Sequence, residues 1–303
     1  MNQMNQMSYG KEEPEWTQEV WDRIDQAVHD EAQRTKVAAK FLPLYMAVPS
    51  ALIVPADTVN VDSPPLTVDE ALTTPIVENL VEFALTKQQY GREDGLMTAI
   101  TLATRAANLL SQAEDLLLFQ GDLGLQDPLF TSNLVRHQSG SAGGGLLSVD
   151  RSVSVPQKTP GIDIWGENTF GAVATAYSIL QDNGHYGPYA LVLPTVPYAD
   201  TYAPLATTLI LTADRIKPLV TGGFYGTGTL PDFTGIMVST GGNTMDLVIG
   251  IDATSQFEQK DARGRFLFRV YERFALRLKD KTAGVKLEYV HGPATSSAKS
   301  KQS

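Results

Sequence analysis

Cysteine is absent from this chain, which excludes disulfides, thiolate nucleophiles and cysteine-based zinc centres. Histidine is scarce. The four present, His29, His137, His185 and His291, show no metal-binding spacing such as His-Glu-x-x-His, and no two are close in sequence. Each therefore reads as a surface residue: His29 on a helix, His137 in a loop, His185 in a turn, His291 in the tail. Basic residues are in deficit, 24 Lys and Arg against 34 Asp and Glu, for a formal charge of −10. Phosphate binding needs clustered Lys and Arg, so no nucleic-acid partner is expected. No run approaches the roughly 18 apolar residues of a membrane span, so no membrane partner is expected either. The polar, acidic start, Met1 to Glu13, lacks the basic and apolar regions of a secretory signal, and a cytoplasmic location is expected.

The remaining routes to catalysis are also missing. No Gly-x-Ser-x-Gly elbow occurs, and Ser141, the nearest candidate, lacks the flanking glycines. The glycine-rich run 139–145 is not followed by Gly-Lys-Ser/Thr and so is no phosphate cradle; it reads as a flexible surface or pore-edge loop. Glu114 and Asp115 form an acidic pair, but adjacent helix positions point about 100° apart, so the two do not converge for acid–base work. One of them is better employed on a buried Arg or a backbone donor. No catalytic residue, metal or cofactor is expected, and the chain is not expected to be an enzyme.

What is present is 303 residues, enough for one large domain or two intimate ones. Residues 1–16 read as a disordered lead. From Thr17 the residues Val20, Trp21, Ile24, Ala27, Val28 and Ala32 recur at helical steps. Phe41 to Pro75 holds six prolines, which forbids a continuous helix; alternation at 50–54 and 66–68 predicts two strands of a projecting arm with little core of its own. A strand is predicted over 76–87. A long helix over 93–120 follows, lined by Ala99, Ala103, Ala106, Ala107 and Ala113 for close packing and ended by Gly121. Residues 122–160 read as loop. Helices are predicted at 167–182 and 212–221, and strands at 189–193, 236–239, 245–251, 265–278 and 285–290. The order is α+β without regular βαβ alternation, ending in a disordered tail, 291–303.

Three segments resemble the encapsulin shell proteins of bacterial nanocompartments, the family 1 type in particular. Trp21-Asp22-Arg23-Ile24-Asp25 leading to Lys40-Phe41 is similar to the family's Trp-x-x-Ile-Asp helix and its exit. Glu114-Asp115-Leu116-Leu117-Leu118-Phe119-Gln120-Gly121 resembles Glu-Asp-x-x-Ile-Phe-x-Gly. The third is Gly184-His185-Tyr186-Gly187-Pro188-Tyr189, with Gly222-Gly223-Phe224-Tyr225 and Val238 to Leu247 in the family's order. The resemblance spans residues 15–290.

It implies the Hong Kong 97 phage-capsid fold: N-terminal helix and arm at 17–48, E-loop at 49–75, and a P-domain at 76–160 carrying the spine helix. An A-domain, mainly 161–245, and P-domain return strands, 246–290, complete it. It further implies a homo-oligomeric icosahedral shell around a cargo enzyme, a dye-decolorising peroxidase or a ferritin-like protein, recruited by a C-terminal targeting peptide. By the same resemblance, that peptide lies in an apolar groove at Ile24, Val28, Val37 and Phe41, faced by Ile251 and Ala253. A five-fold pore loop falls on Ala206, Thr207, Thr208, Leu209 and Ile210, which are uncharged and imply a neutral pore. Residues 55–75 are shorter than the usual E-loop, and Ala39 and Pro43 stand where some relatives have Arg and Asp. The competing reading is a phage or prophage major capsid protein that packages DNA. The acidic balance, the ordered start at Thr17 and the missing scaffolding stretch argue against it.

Overall fold

Val20, Trp21, Ile24, Val28 and Ala32 form one apolar stripe, and burial of that stripe holds Gln18–Thr35 as helix α1. The computed structural model describes residues 15–60, 65, 67–69, 71–158, 164–204 and 210–290. After α1 come β1 (Leu44–Met46) and the arm strands β2 (Ile53–Pro55), β3 (Thr58–Asn60), β4 (Thr67–Asp69) and β5 (Thr73–Pro75). β6 (Val77–Leu85) leads through the single turns α2 (Lys87–Tyr90) and α3 (Glu93–Leu96) to the spine helix α4 (Thr98–Gln120). Then follow α5 (Pro128–Thr131), β7 (Arg136–Gln138), β8 (Arg151–Pro156), α6 (Glu167–Asp182), β9 (Tyr189–Pro194), α7 (Thr195–Asp200) and α8 (Thr212–Ile216). The chain ends its described course in β10 (Gly223–Thr227), β11 (Thr234–Ser239), β12 (Met245–Lys260), β13 (Phe266–Leu278) and β14 (Gly284–Val290).

Two five-stranded sheets organise these elements, in the orders β1-β12-β13-β6-β7 and β10-β9-β11-β14-β8. Helices α1 and α4 pack on each other and on the first sheet, burying a core that includes Trp21, Leu110, Phe119 and Phe268. Alanines 99, 103, 106, 107 and 113 are all buried on α4, which lets its neighbours approach closely. Helix α6 covers the second sheet over Trp165, Leu191 and Leu287. The arm is two antiparallel ribbons, β2 with β5 and β3 with β4. Its base rests on a separate small core of Val54, Ile76, Val248 and Ala275.

Several expectations change. Residues 1–14 and 291–303 lie outside the described residues. Trp16, read as part of the lead, belongs to the folded body: its ring stacks on Phe268 at 5.0 Å and on Tyr90 at 5.2 Å. Among its described residues the arm carries four short strands instead of two. The helix predicted over 93–120 breaks at Met97, which takes a left-handed φ of 50°. The carboxylate of Glu93 turns back there to accept the N–H groups of Ala99 (2.8 Å) and Ile100 (3.2 Å), satisfying donors that a helix start leaves open.

The glycine-rich run is a clasp on the end of the spine. Asp122 N–H donates to Gly143 O at 2.9 Å, Ala142 N–H donates to Asp122 Oδ1 at 2.7 Å, and Ser141 Oγ donates to Asp122. A Cβ on Gly121, at φ 61°, would lie 2.0 Å from Gly143 O, so the close approach needs glycine on that side of the clasp. Residues 122–160 also contain α5, β7 and β8. Strand β12 runs nine residues past the predicted end at Ile251. Register irregularities between Ile249 and Ile251, Ile251 and Thr254, and Phe257 and Gln259 interrupt the alternation that would have marked it. Strands β8 and β14 join the second sheet, so the return through 246–290 is shared between the two: Val285, Leu287 and Tyr289 alternate into the second core.

Candidate functional site

Helix α1 lies against β12 along a polar seam. Asp25 Oδ1 accepts from Ser255 Oγ at 2.6 Å and Ser255 N at 3.2 Å, and His29 Nδ1 lies 3.7 Å from Asp252. The residues assigned to a peptide groove meet beneath and beside this seam. Ile24, 1% exposed, and Val28, 0% exposed, are spent in the chain's own core with Ala253 and Phe41. Phe41 stacks on Tyr225 at 5.8 Å. Val37 and Ile251 are half-buried and keep surface of their own. Ile24 and Val28 therefore offer an incoming peptide no face unless α1 lifts from β12.

The acidic pair on α4 holds the exit of α1. Asp115 accepts the backbone N–H of Val37 at 2.8 Å and of Ala38 at 2.9 Å, so the backbone-donor role is the one found. Burial pushes the Asp115 carboxyl up to about 7, against the N–H bond from Ala38, with the Glu114 charge adding to the rise. Glu114 lies 2.5 Å from Lys36 Nζ, which also donates to Glu272 Oε2 at 2.7 Å. Burial alone would lower the lysine; the carboxylates of Glu114, Glu272 and Asp252 outweigh it and hold Lys36 above its ordinary value.

The arm is fastened by two arginines on one face of β13. Arg273 donates to Pro49 O at 2.5 Å and Ala51 O at 2.7 Å. Arg277 grips Asp246 with two bonds, 2.8 and 2.7 Å, and reaches Asp57 at 2.5 Å and Pro55 O at 3.2 Å. Its guanidinium carbon sits 4.5 Å from the centre of the Tyr45 ring. Among the described residues, nothing covers the far side of this region. Leu44, Met46 and Leu52 are 61, 65 and 71% exposed, beside exposed Tyr45, Val48 and Ile53. The residues that anchor the arm were missed by sequence reading. The signal available was Arg269, Arg273 and Arg277, spaced by four and so on one face of a strand.

Residues 206–209 of the assigned pore loop lie outside the described residues; Ile210 is exposed. His137 contacts Asn79 Oδ1 at 3.0 Å and Gly140 O at 3.1 Å, and His185 contacts Thr282 Oγ1 at 2.9 Å. His291 lies outside the described residues. Among the described residues, no group of three or more His, Asp or Glu is placed to hold a metal ion, and no helix is long and apolar enough to cross a membrane.

Comparison with known proteins bears on this arrangement. The family described as encapsulating protein for peroxidase matches residues 139–275. A type 1 encapsulin shell protein of Myxococcus xanthus (strain DK1622) is 27% identical over 291 residues, covering 89% of this chain and 93% of the relative. A diheme-cytochrome–encapsulin shell fusion protein of Kuenenia stuttgartiensis is 25% identical over 280 residues, covering 86% of this chain and 70% of the relative. Among solved structures, a virus-like particle from Pyrococcus furiosus superposes with TM-score 0.68 at 18% identity, over 89% of this chain and all of that one. The capsid of Myoviridae phage XM1 gives TM-score 0.56 at 13% identity, over 84% and 92% of the two chains. The α+β fold with a spine helix and projecting arm is that of Hong Kong 97-type capsid proteins.

Proposed function

We propose that the chain is an encapsulin shell protein, of a structural family, and that copies of it close into an icosahedral shell around a cargo enzyme. The observation that carries the reading is the exposed apolar strip from Leu44 to Ile53, placed at the base of an arm whose ribbons have almost no core. In a lone subunit such a strip and β1, the edge strand of the first sheet, would invite uncontrolled association; in a closed assembly neighbouring copies cover both. Arg273 and Arg277 hold the base of the arm at a set angle to the sheet, so each copy offers its neighbour the same surface.

Cargo recruitment follows as a second part of the reading. A C-terminal targeting peptide would rest on the surface that Val37 and Ile251 leave open beside the α1–β12 seam, with Ile24, Val28, Phe41 and Ala253 as the packed floor beneath. The cargo class is a dye-decolorising peroxidase or a ferritin-like protein. The test is co-expression with such an enzyme carrying its own C-terminal extension, followed by size-exclusion chromatography and mass spectrometry. Cargo should elute in the void with the chain, depend on its extension, and be lost with Ile251→Asp. Void-volume particles that carry DNA in place of protein cargo would favour the capsid reading instead.

A further inference from the structure

Lys36, Glu114 and Glu272 come from the end of α1, from α4 and from β13, and their side chains are 8, 1 and 1% exposed. With both glutamates ionised the cluster would hold two negative charges against one positive in the interior. Asp252 from β12, its oxygen 3.8 Å from Lys36 Nζ, adds more negative charge from a half-exposed side chain. The other titratable groups nearby are Asp115 on α4, occupied by the N–H groups of 37 and 38, and His29 on α1, 3.7 Å from Asp252. Among the described residues no second cation is paired with either glutamate. An uncompensated buried carboxylate costs several kcal/mol even after relaxation, roughly enough to favour taking up a proton instead. The hydrogen bonding makes the same demand: Glu114 Oε1 and Glu272 Oε1 are buried and have no donor among the described residues.

We propose that Lys36, Glu114 and Glu272 form a one-proton latch, in which a proton held between the two glutamates pins the end of α1 to the body and its loss to water unpins it. The proton makes the cluster neutral and lets one glutamate donate to the other. Burial, and then the charge of Glu114, hold Glu272 well above the usual carboxylate range, with Lys36 opposing. The sign is set by that rise. A carboxyl held above its unfolded value contributes stability that is whole below the ordinary carboxylate range and is lost as pH climbs through the raised value. Lys36, also raised, contributes stability that is whole below its ordinary value and lost above it. Both move the same way: alkali loosens the latch. The inference does not depend on shell formation.

Infrared spectroscopy of the full chain tests it, through the C=O stretch of a protonated carboxyl near neutral pH, where ordinary carboxylates are ionised, in an Asp115→Asn background that removes the other raised carboxyl. The band should be present in the wild type and in Asp115→Asn, and absent when Glu272→Gln or Glu114→Gln is added to Asp115→Asn. On further raising the pH the band should vanish together with an increase of about tenfold in hydrogen exchange at residues 30–38, measured relative to α6 to remove the intrinsic pH dependence. No band in Asp115→Asn at that pH overturns the proposal, as does a band that survives both glutamine variants. Should the glutamine variants not fold, Asp115→Asn decides alone: loss of the band with no change in relative exchange at 30–38 overturns the latch.

Discussion

Replacing Arg277 by alanine removes the side chain that joins the arm to the first sheet. Arg277 is 4% exposed, and its partner Asp246 is also 4% exposed. The pair is bidentate, with a second carboxylate, Asp57, and the carbonyl of Pro55 on the remaining nitrogen. Breaking one side of a buried ion pair costs about 3–5 kcal/mol, most of it from the charge left behind. Here Lys279 stays 2.8 Å from Asp246 and keeps it partly neutralised, so the low end, about 3 kcal/mol, is expected. Loss of the contact with Tyr45 adds about 1 kcal/mol. Arg277→Lys restores charge but not the fork that serves Asp246, Asp57 and Pro55 together, and should recover about half. The assay is guanidinium unfolding followed by tryptophan fluorescence, paired with amide exchange over residues 47–58. Exchange should rise there far more than in α4. An alanine variant within about 1 kcal/mol of wild type, with unchanged exchange in the arm base, refutes the clamp.

Gly121→Ala should cost at least about 3 kcal/mol and lower the melting temperature, because the new Cβ meets a backbone carbonyl and the φ is left-handed; an unchanged thermal scan would contradict the clasp. Val28→Asp buries an unpaired carboxylate and should abolish soluble expression, whereas Ile251→Asp should fold and lose only cargo, which pull-down of the tagged enzyme separates. For Asp115, raised to about 7, the neutral form is favoured in the folded chain. Its stabilising effect is therefore whole below about pH 4 and lost as pH rises through about 7, and Asp115→Asn should flatten that part of the stability–pH curve measured by urea unfolding.

The parts of the fold legible in sequence are those where one period repeats without interruption. The stripe of α1, the helix 167–182 and the wholly buried strand from Tyr189 were all readable because burial enforces the pattern at every turn or pair of residues. Short or irregular elements were not. β1 has only three residues, all exposed, and its apolar side chains answer to something other than the chain's own core. Bulges hid the second half of β12, and the clasp at Gly121 depends on backbone contacts that composition cannot reveal. The six groove residues follow from the family resemblance, and a resemblance in sequence does not say which apolar side chains a fold consumes internally. Ile24 and Val28 are consumed; Val37 and Ile251 are not wholly so. The arginine clamp was hidden for a different reason: four of its acceptors, the carbonyls of Pro49, Ala51 and Pro55 and the carboxylate of Asp57, lie more than two hundred residues away in a segment defined by its prolines.

Electron microscopy of the purified, cargo-free chain in negative stain tests the central claim most directly. Closed spherical shells of uniform diameter are the predicted result, since every copy presents the same clamped arm and the same uncovered strip from Leu44 to Ile53. A chain that stays monomeric across a wide range of concentration and salt would contradict it.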